Sequence, residues 1–249
     1  MKIKHLLLVF AVFCLSAVQA QSVDDIVNKY FENTGGRAKW NAIQGIKISA
    51  KLNQGGMEIP LDMYQFKDGK AMQVITFQGK EIKQGVYDGT TLWSHNFMNM
   101  KAEKSDAEAT ANYKLEIGEF PDVWLNYKER GLAAEFLGKE TIDGTETFKI
   151  KLTKKPIMVD GKPADNVSFY FFDAESYVPL MVESEVKSGP AKGMISQVKF
   201  SDYQEVGGIM MPFSMTQGAK GGGSQPITIS NIELNPKVDA AAFKYPEGN

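Results

Sequence analysis

The chain has 249 residues, and its 28 Lys and Arg side chains nearly balance 30 Asp and Glu side chains, for a formal net charge of −2 at pH 7. This balance gives no sign of the strongly basic surface that a nucleic-acid partner requires, so we expect no nucleic acid among its partners. One cysteine and two histidines leave few residues for metal ligation or thiol chemistry.

Residues 1–20 have the pattern of a cleavable signal peptide. Lys2 and Lys4 precede an apolar stretch over 6–18, and Ala20 supplies a small residue at the predicted cleavage site. The stretch is shorter than the roughly 20 residues of a membrane-spanning helix, so an uncleaved anchor is the less favoured alternative. Cys14 follows the bulky Phe13, which disfavours a lipid-modified cysteine.

Cleavage after Ala20 would remove the only cysteine. An exported chain without disulfides is more typical of a bacterial periplasm than of a eukaryotic secreted protein. We therefore expect a periplasmic location, or a peripheral one at the outer membrane.

The first element after residue 20 is predicted to be a helix. Ser22 is a suitable N-cap, Asp25 suits the positive end of the helix dipole, and Ile26 and Tyr30 lie at helical spacing. The glycines at 35–36 end the helix, and a short helical turn leads into the first strand.

From residue 45 the apolar period changes to two, which predicts strands. Ile46 and Ile48 begin the alternation, and Gly55-Gly56, Asp68-Gly69 and Asp88-Gly89 are hairpin turn signals between the apolar runs. These signals predict a meander of about five antiparallel strands before residue 100.

A helical insertion is predicted near 103–130, with one helix from 105 and a second helical piece near 121–127. Strands resume at 132 and continue to 234, with turn signals such as Asp143-Gly144. No linker divides the chain, so residues 21–249 are predicted to form a single half-barrel domain.

About a dozen consecutive antiparallel strands fit either a sandwich or a strongly curved sheet that approaches a barrel. The two helical segments are too few to cover a flat sheet, and they suit the concave side of a curved one. The expected class is mainly β (α+β).

Catalytic motifs are scarce in this chain. His95 would be the only histidine after cleavage, its neighbour Ser94 points to the opposite strand face, and no G-x-S-x-G motif occurs. We predict no enzyme activity, no catalytic residue, no metal site and no cofactor. A hydrolase that uses His95 with a nearby carboxylate is the least favoured alternative.

Large, adaptable apolar side chains are abundant, since the chain has 12 methionines. Methionine suits irregular cores and apolar binding sites alike. Composition therefore leaves two interpretations open: a Met-rich packed core, or a cavity for an acyl chain or a similar ligand.

Four segments, taken in order, resemble those of outer-membrane lipoprotein-sorting-like proteins of Bacteroidetes type. These are the helix end and turn over 33–43, the Y-D-G-x-x-x-W pattern over 87–93, the S-D-Y-x-x-V-x-G-x-x-x-P pattern over 201–212, and the closing segment 235–246. The resemblance implies the fold of the lipoprotein carrier and acceptor superfamily. That fold is an unclosed β-barrel, here of about 11–12 strands, with helices covering its concave side and an apolar cavity between.

The resemblance also implies lipid or lipoprotein acyl chains as the ligand. We expect a monomeric periplasmic carrier in lipoprotein sorting or envelope lipid handling, with a partner protein in the inner or outer membrane. The alternative is an envelope sensing or interaction module with a packed core and no ligand. The residues expected to line the cavity are Met57, Ile59, Leu61, Met63, Met72, Val74, Phe77, Trp93, Met98, Trp124, Phe169, Phe171 and Phe213.

Overall fold

The computed structural model describes residues 21–247, so the signal peptide predicted over 1–20 lies outside the described part. The helices are α1 (Val23–Asn33), α2 (Arg37–Ala42) and α3 (Ala107–Glu116), with short 3₁₀ turns at Ile117–Glu119 and Ala240–Phe243. Within residues 21–247, no helix combines the length and apolar character needed to cross a membrane. The strands are β1 (Gly45–Gln54), β2 (Met57–Phe66), β3 (Ala71–Phe77), β4 (Lys80–Tyr87), β5 (Leu92–His95), β6 (Ala102–Lys104), β7 (Ala133–Ile142), β8 (Thr145–Thr153), β9 (Ile157–Val159), β10 (Lys162–Ala164), β11 (Val167–Asp173), β12 (Pro179–Glu185), β13 (Ile195–Val206), β14 (Ile209–Ala219) and β15 (Ser224–Leu234).

Thirteen strands form one antiparallel sheet in the order β6-β5-β4-β3-β2-β1-β15-β14-β13-β12-β11-β8-β7, and β9 and β10 form a separate hairpin. In the described part of the chain, the edge strands β6 and β7 do not pair with each other, so the sheet stays open. This architecture confirms the predicted mainly β fold with an unclosed barrel and few helices. The main sheet has slightly more strands than the 11–12 that we expected.

Tight turns account for the meander. The pairs Gln78-Gly79 and Asp143-Gly144 have positive φ at both residues, which is the backbone of type I′ hairpin turns and matches the twist of the flanking strands. β7 runs without interruption from Ala133 to Ile142. Gly138, at φ 103°, lies at a shift in the β7–β8 register, so the strand accommodates a bulge rather than ending there.

Helix α1 packs its apolar side against one face of the sheet, which we call the inner face. Ile26 and Val27 are fully buried, and Tyr30 and Phe31 nearly so. Each such burial stabilises the fold by about 1.5–3 kcal/mol. The sheet residues that share this core include Ile46, Ala50, Phe148, Ile150, Leu152, Ile209, Ile227, Ile229 and Ile232.

The turn between α1 and α2 docks on the hairpin that joins β13 to β14. The Met210 amide donates to the Thr34 carbonyl oxygen at 3.2 Å, and the Trp40 indole donates to the Thr34 hydroxyl at 3.1 Å. Gly35 has a φ of 110°, and a Cβ there would lie 2.1 Å from the Gly208 carbonyl oxygen. Only glycine allows this close approach of the two backbones.

Helix α3 lies in the predicted insertion and bridges two distant parts of the chain. The Tyr113 hydroxyl donates to the Gly69 carbonyl oxygen at 3.0 Å, in the link between β2 and β3. The Asn112 amide group bonds both backbone groups of Met158, at 2.7 and 2.8 Å, in the β9–β10 hairpin.

The second helical piece predicted near 121–127 is wrong, because residues 121–131 form irregular turns. The Asp122 carboxylate accepts from the Trp124 amide at 2.7 Å. Such a local side-chain bond satisfies the backbone in a turn and competes with helix formation.

A second apolar cluster lies on the opposite, outer face of β2–β6, under the C-terminal segment. It contains Met72, Val86, Trp93, Ala102 and Phe243. The Trp93 indole donates to the Phe243 carbonyl oxygen at 2.9 Å, which fixes the segment across the sheet.

A matched pair of glycine substitutions tests the docking of the α1–α2 turn. Gly35 and Gly36 both have positive φ, but a Cβ at Gly36 meets nothing within 4 Å. We expect Gly36→Ala to lower the free energy of unfolding by about 1–2 kcal/mol through backbone strain. Gly35→Ala should lose a further 1–3 kcal/mol or so through the clash.

Urea denaturation followed by tryptophan fluorescence measures both losses. Equal losses in the two variants would show that the contact with Gly208 does not hold the turn.

Candidate functional site

The inner face carries rows of apolar side chains that run across the sheet from strand to strand. In one row, Phe200 pairs with Met215, Met215 with Ile227, Ile227 with Leu52, and Leu52 with Ile59. Directly paired residues project on the same side of a sheet, so these side chains form one continuous apolar surface over five strands.

A neighbouring row extends this surface toward β11. Tyr170 pairs with Val182 and Val182 with Val198, and all three side chains are half-buried. Helix α1 does not bury them as it buries the middle of the sheet. The inner face therefore keeps apolar side chains in reach of a ligand.

A groove of about 400 Å³ lies over this surface. Its floor is formed by β11–β14, and its walls are formed by α1 and the segment 121–124. The lining residues include Tyr30, Trp40, Pro121, Trp124, Tyr170, Val182, Val198, Phe200 and Tyr203. This volume falls in the range of small-ligand sites, about 300–1,000 Å³, and the lining is largely apolar as such sites are.

The groove wall at 121–124 belongs to the irregular segment 121–131, which is held by the chain's two arginines. Arg37 donates from Nη1 to the Leu125 carbonyl oxygen at 2.7 Å and lies over the Phe31 ring at 4.4 Å. Arg130 donates to the carbonyl oxygen of Val123. Bonds from charged donors are among the stronger hydrogen bonds, so both arginines anchor a wall that has no helical ladder of its own.

Trp124 is the largest side chain of the wall and is almost fully buried. Its ring packs edge-on against Tyr170, with centroids 5.0 Å apart, and against Phe172 at 5.6 Å. Among the described residues, no hydrogen-bond partner reaches its indole nitrogen. Its position therefore rests on aromatic packing.

The polar side chains Tyr30, Asp122 and Tyr203 at the groove all form hydrogen bonds within the protein. The Tyr30 hydroxyl donates to the Asp122 carboxylate at 2.9 Å, and the Tyr203 hydroxyl donates to the Pro179 carbonyl oxygen. Burial raises the pKa of Asp122, although the bonds from Trp124 and Tyr30 act in the opposite direction. Burial also raises the pKa of Tyr170 and Tyr203, so both phenols stay neutral.

The structure brings seven of the predicted cavity residues to the inner face or the groove wall. Met57, Ile59, Leu61 and Met63 alternate along β2 on the side that faces α1, and Phe77 lies on the same side as Ile75, the partner of Leu61. Phe213 packs against the α1 core, and Trp124 lies in the groove wall. Their contact with a ligand stays a prediction.

The other six predicted residues lie elsewhere, and for these the placement is corrected. Met72, Val74 and Trp93 pack on the outer face under the C-terminal segment. Phe169 and Phe171 alternate with Tyr170 and Phe172, so they point away from α1, toward Lys149 at 5.4 and 5.1 Å. Met98 is 94% exposed in the link between β5 and β6.

Sequence reasoning missed several residues of the groove. Val182, Val198 and Phe200 lie in runs that were predicted as strands, and their alternation with polar neighbours such as Gln197 marks an inward side. Pro121 and Tyr30 reach the groove only through tertiary packing, for which the sequence gives no local signal.

His95 is not part of this site. Its ring lies 5.4 Å from that of Trp93 on the outer face, and its Nδ1 accepts from the Lys83 amide at 3.1 Å. Within residues 21–247, no three His, Cys, Asp or Glu side chains come together as metal ligands would.

The pH dependence of stability tests the burial of Asp122. Because the raised pKa favours the protonated carboxyl, its stabilising contribution is full below the ordinary pKa of 3.8 and is lost as the pH rises through the folded-state value. An Asn side chain at this position can accept from the Trp124 amide and donate to the Tyr30 hydroxyl, and it does not ionise. We therefore expect Asp122→Asn to gain stability relative to the native chain as the pH rises from 4 to about 7.

The control has the opposite sign. Bonds from Lys128 and then Tyr127 lower the pKa of Asp24, so its contribution is present above the ordinary 3.8 and is lost on acidification. Asp24→Asn should lose stability relative to the native chain as the pH rises through 3.8 from the acidic side, in a small effect because the group is exposed. Urea denaturation at pH values on both sides of 3.8 measures both trends, and parallel trends would contradict the assignment.

Comparison with known proteins gives structural relatives alone. No family model matches the chain, and no curated protein is significantly similar to it. A DUF1329 family protein from Desulfovibrio piger superposes with a TM-score of 0.55 at 17% identity, covering 91% of this chain and 98% of the other.

Two further structures agree. A domain described as an outer membrane lipoprotein-sorting protein, from Vibrio parahaemolyticus, gives a TM-score of 0.52 at 11% identity and covers 88% of this chain and 94% of its own. A LolA superfamily protein from Nitrosomonas europaea gives 0.52 at 13% identity and covers 90% and 98%. The resemblance found in the sequence is thus confirmed at the level of the fold: this chain has the open-barrel fold of LolA-superfamily and lipoprotein-sorting proteins.

Proposed function

We propose that this chain is a periplasmic carrier or binding protein for a lipid-like ligand, such as the acyl chains of lipoproteins. The observation that carries this proposal is the half-buried apolar inner face beside a groove of about 400 Å³. The hydrocarbon tail of an acyl chain has no polar group, so it gains most from a long apolar surface and little from hydrogen bonds.

The polar groups of the groove support binding rather than chemistry. Asp122 already accepts two hydrogen bonds, and Tyr203 is bonded to the backbone. The histidine of the described region lies on the other face. Holding an apolar ligand requires no nucleophile and no general base, so we propose a protein without enzymatic activity or cofactor.

The structural relatives support the ligand class and the pathway. Two of them are described as a lipoprotein-sorting protein domain and a LolA superfamily protein. We extend this to a role in outer-membrane lipoprotein sorting or envelope lipid handling. The protein would act as an exported monomer, with its signal peptide cleaved after Ala20, and would exchange cargo with a membrane partner protein.

The proposed ligand contacts combine predicted residues with those that the groove adds. On β2 the side chains range from buried Ile59 and Leu61 to exposed Met57, those on β12–β14 are half-buried, and the groove wall contributes Trp124. The contacts are Met57, Ile59, Leu61, Met63, Phe77, Trp124, Val182, Val198, Phe200 and Phe213.

A charge placed in the groove tests this function. Val198→Glu puts a carboxylate on the groove floor, where an apolar ligand would bury it without a partner. We expect its affinity for cis-parinaric acid, a fluorescent fatty acid, to fall by tenfold or more, on the order of 1.4 kcal/mol. Fluorescence titration of the purified proteins measures the affinities, and native mass spectrometry shows co-purifying lipid.

The matched control is Leu137→Glu, which introduces the same charge at an exposed aliphatic residue of β7. It should bind as the native chain does. If the native chain binds no fatty acid and carries no lipid, the proposal fails, and the alternative of an interaction module with a packed core is favoured instead.

A further inference from the structure

The two ends of the main sheet differ in chemistry. Eleven links join neighbouring strands of the main sheet, and because the strands are antiparallel, six turn at one end and five at the other. One end carries the links 55–56, 78–79, 96–101, 154–166 (which contains the β9–β10 hairpin), 186–194 and 220–223. We call these links, with the bordering residues Met57 and Phe77, the basic end. The opposite end carries the links 67–70, 88–91, 143–144, 174–178 and 207–208.

The links of the basic end contain seven lysines and two acidic residues, Asp160 and Asp165. The lysines are Lys101, Lys154, Lys155, Lys162, Lys187, Lys192 and Lys220. The links of the opposite end contain Lys67 and Lys70 together with four acidic residues, which are Asp68, Asp88, Asp143 and Glu175. Positive charge is therefore concentrated at one end of a chain whose net charge is negative.

Exposed large apolar side chains collect at the same end. Met98 is 94% exposed, Phe97 61%, Met57 56%, Met194 48% and Phe77 38%. Among the described residues, the links of the opposite end carry no exposed side chain of this kind. A collection of exposed large apolar side chains at one end of a sheet marks an interaction surface.

We propose that the basic end docks on the surface of an anionic phospholipid bilayer. Lysines at the level of the headgroups attract anionic lipid, and Met and Phe side chains between them insert at the headgroup and acyl boundary. An apolar patch alone would suit a protein partner as well as a membrane. The combination of apolar tips with lysines, on a chain that is acidic overall, matches a negatively charged lipid surface.

Nearby acidic groups leave this charge pattern in place. Lys187, Lys192 and Lys220 form ion pairs with strand or hairpin carboxylates at 2.8, 3.1 and 2.9 Å. The Lys192 pair is solvent-exposed on both sides and contributes little free energy, so this ammonium group can turn to a lipid phosphate. Glu183 is nearly buried, so Lys220 is expected to stay paired with it. Glu58 pairs with Lys51, and Glu81 lies opposite Thr76 on the outer face.

The basic end is continuous with the proposed binding surface. Met57 follows Ile59 and Leu61 on the inner side of β2, and Phe77 follows Ile75 on β3. Met57 is more exposed than Ile59, and Phe77 is more exposed than Ile75. The apolar inner face thus leads to the tips that would enter the bilayer. Transfer of cargo along it rests on the proposed function, whereas docking rests on the tips alone.

Vesicle sedimentation tests the docking. The purified protein should bind vesicles of phosphatidylcholine with phosphatidylglycerol, and bind vesicles of phosphatidylcholine alone more weakly. The double variant Phe97→Ser and Met98→Ser should lose at least tenfold in vesicle affinity. Lys101→Gln removes one positive charge and should lose about fivefold in affinity for the anionic vesicles. The control, Leu115→Ser with Leu137→Ser, removes two exposed apolar side chains from other parts of the surface and should bind as the native chain does.

The inference and the proposed function fail in different ways. The Phe97 and Met98 variant should keep its affinity for cis-parinaric acid, because neither side chain lines the groove. If the native chain binds the fatty acid but no anionic vesicle, docking is overturned, and a membrane protein is the partner to seek. If the tip variant and the Leu115 and Leu137 control lose vesicle binding equally, the basic end is not the docking surface.

Discussion

A sheet that curves without closing must cover its concave apolar face by some other means. Here β6 and β7 end the sheet without meeting, and α1 fills part of the concavity with Ile26 and Val27 at zero exposure. The turn at Gly35 holds that helix against the far hairpin through a backbone contact that admits no side chain. The candidate groove lies beside α1, where the helix no longer covers the inner face of the sheet.

Beyond α1, the cover is the irregular segment 121–131, and its construction suits a wall beside a ligand. Two arginines hold its carbonyl groups, and Trp124 wedges its ring among aromatic residues of the sheet. A segment with few internal backbone bonds opens at a smaller free-energy cost than a strand in the middle of a sheet. The sheet therefore forms the floor of the groove, and the irregular segment forms one of its walls.

The sequence predicted those parts of the fold that local chemistry determines. Glycine-containing turns such as Asp143-Gly144 located the hairpins, and the N-cap Ser22 with the acidic Asp25 located the start of α1, where the structure adds a capping box between the two. Seven of the ten proposed ligand contacts were predicted too, four of them because Met57 to Met63 alternate along β2.

What could not be predicted depends on contacts between distant segments. Four aromatic residues in succession, 169–172, offer no polar alternation, so the inward pair Tyr170 and Phe172 could not be told from the outward pair. Trp93 is buried because residues 150 positions later cross the outer face, and no pattern near Trp93 signals this. The groove itself arises where 121–124 meets β11–β14, which is a property of the assembled fold.

The two edges of the open sheet have a consequence for the solubility of the protein. Unpaired strand edges invite pairing with another chain, and long flat edges lead to aggregation. β6 offers only three residues, and β7 carries the bulge at Gly138, next to the charged Lys139 and Glu140. This open sheet therefore carries edges that are too short or too irregular to serve as good templates for a neighbouring chain.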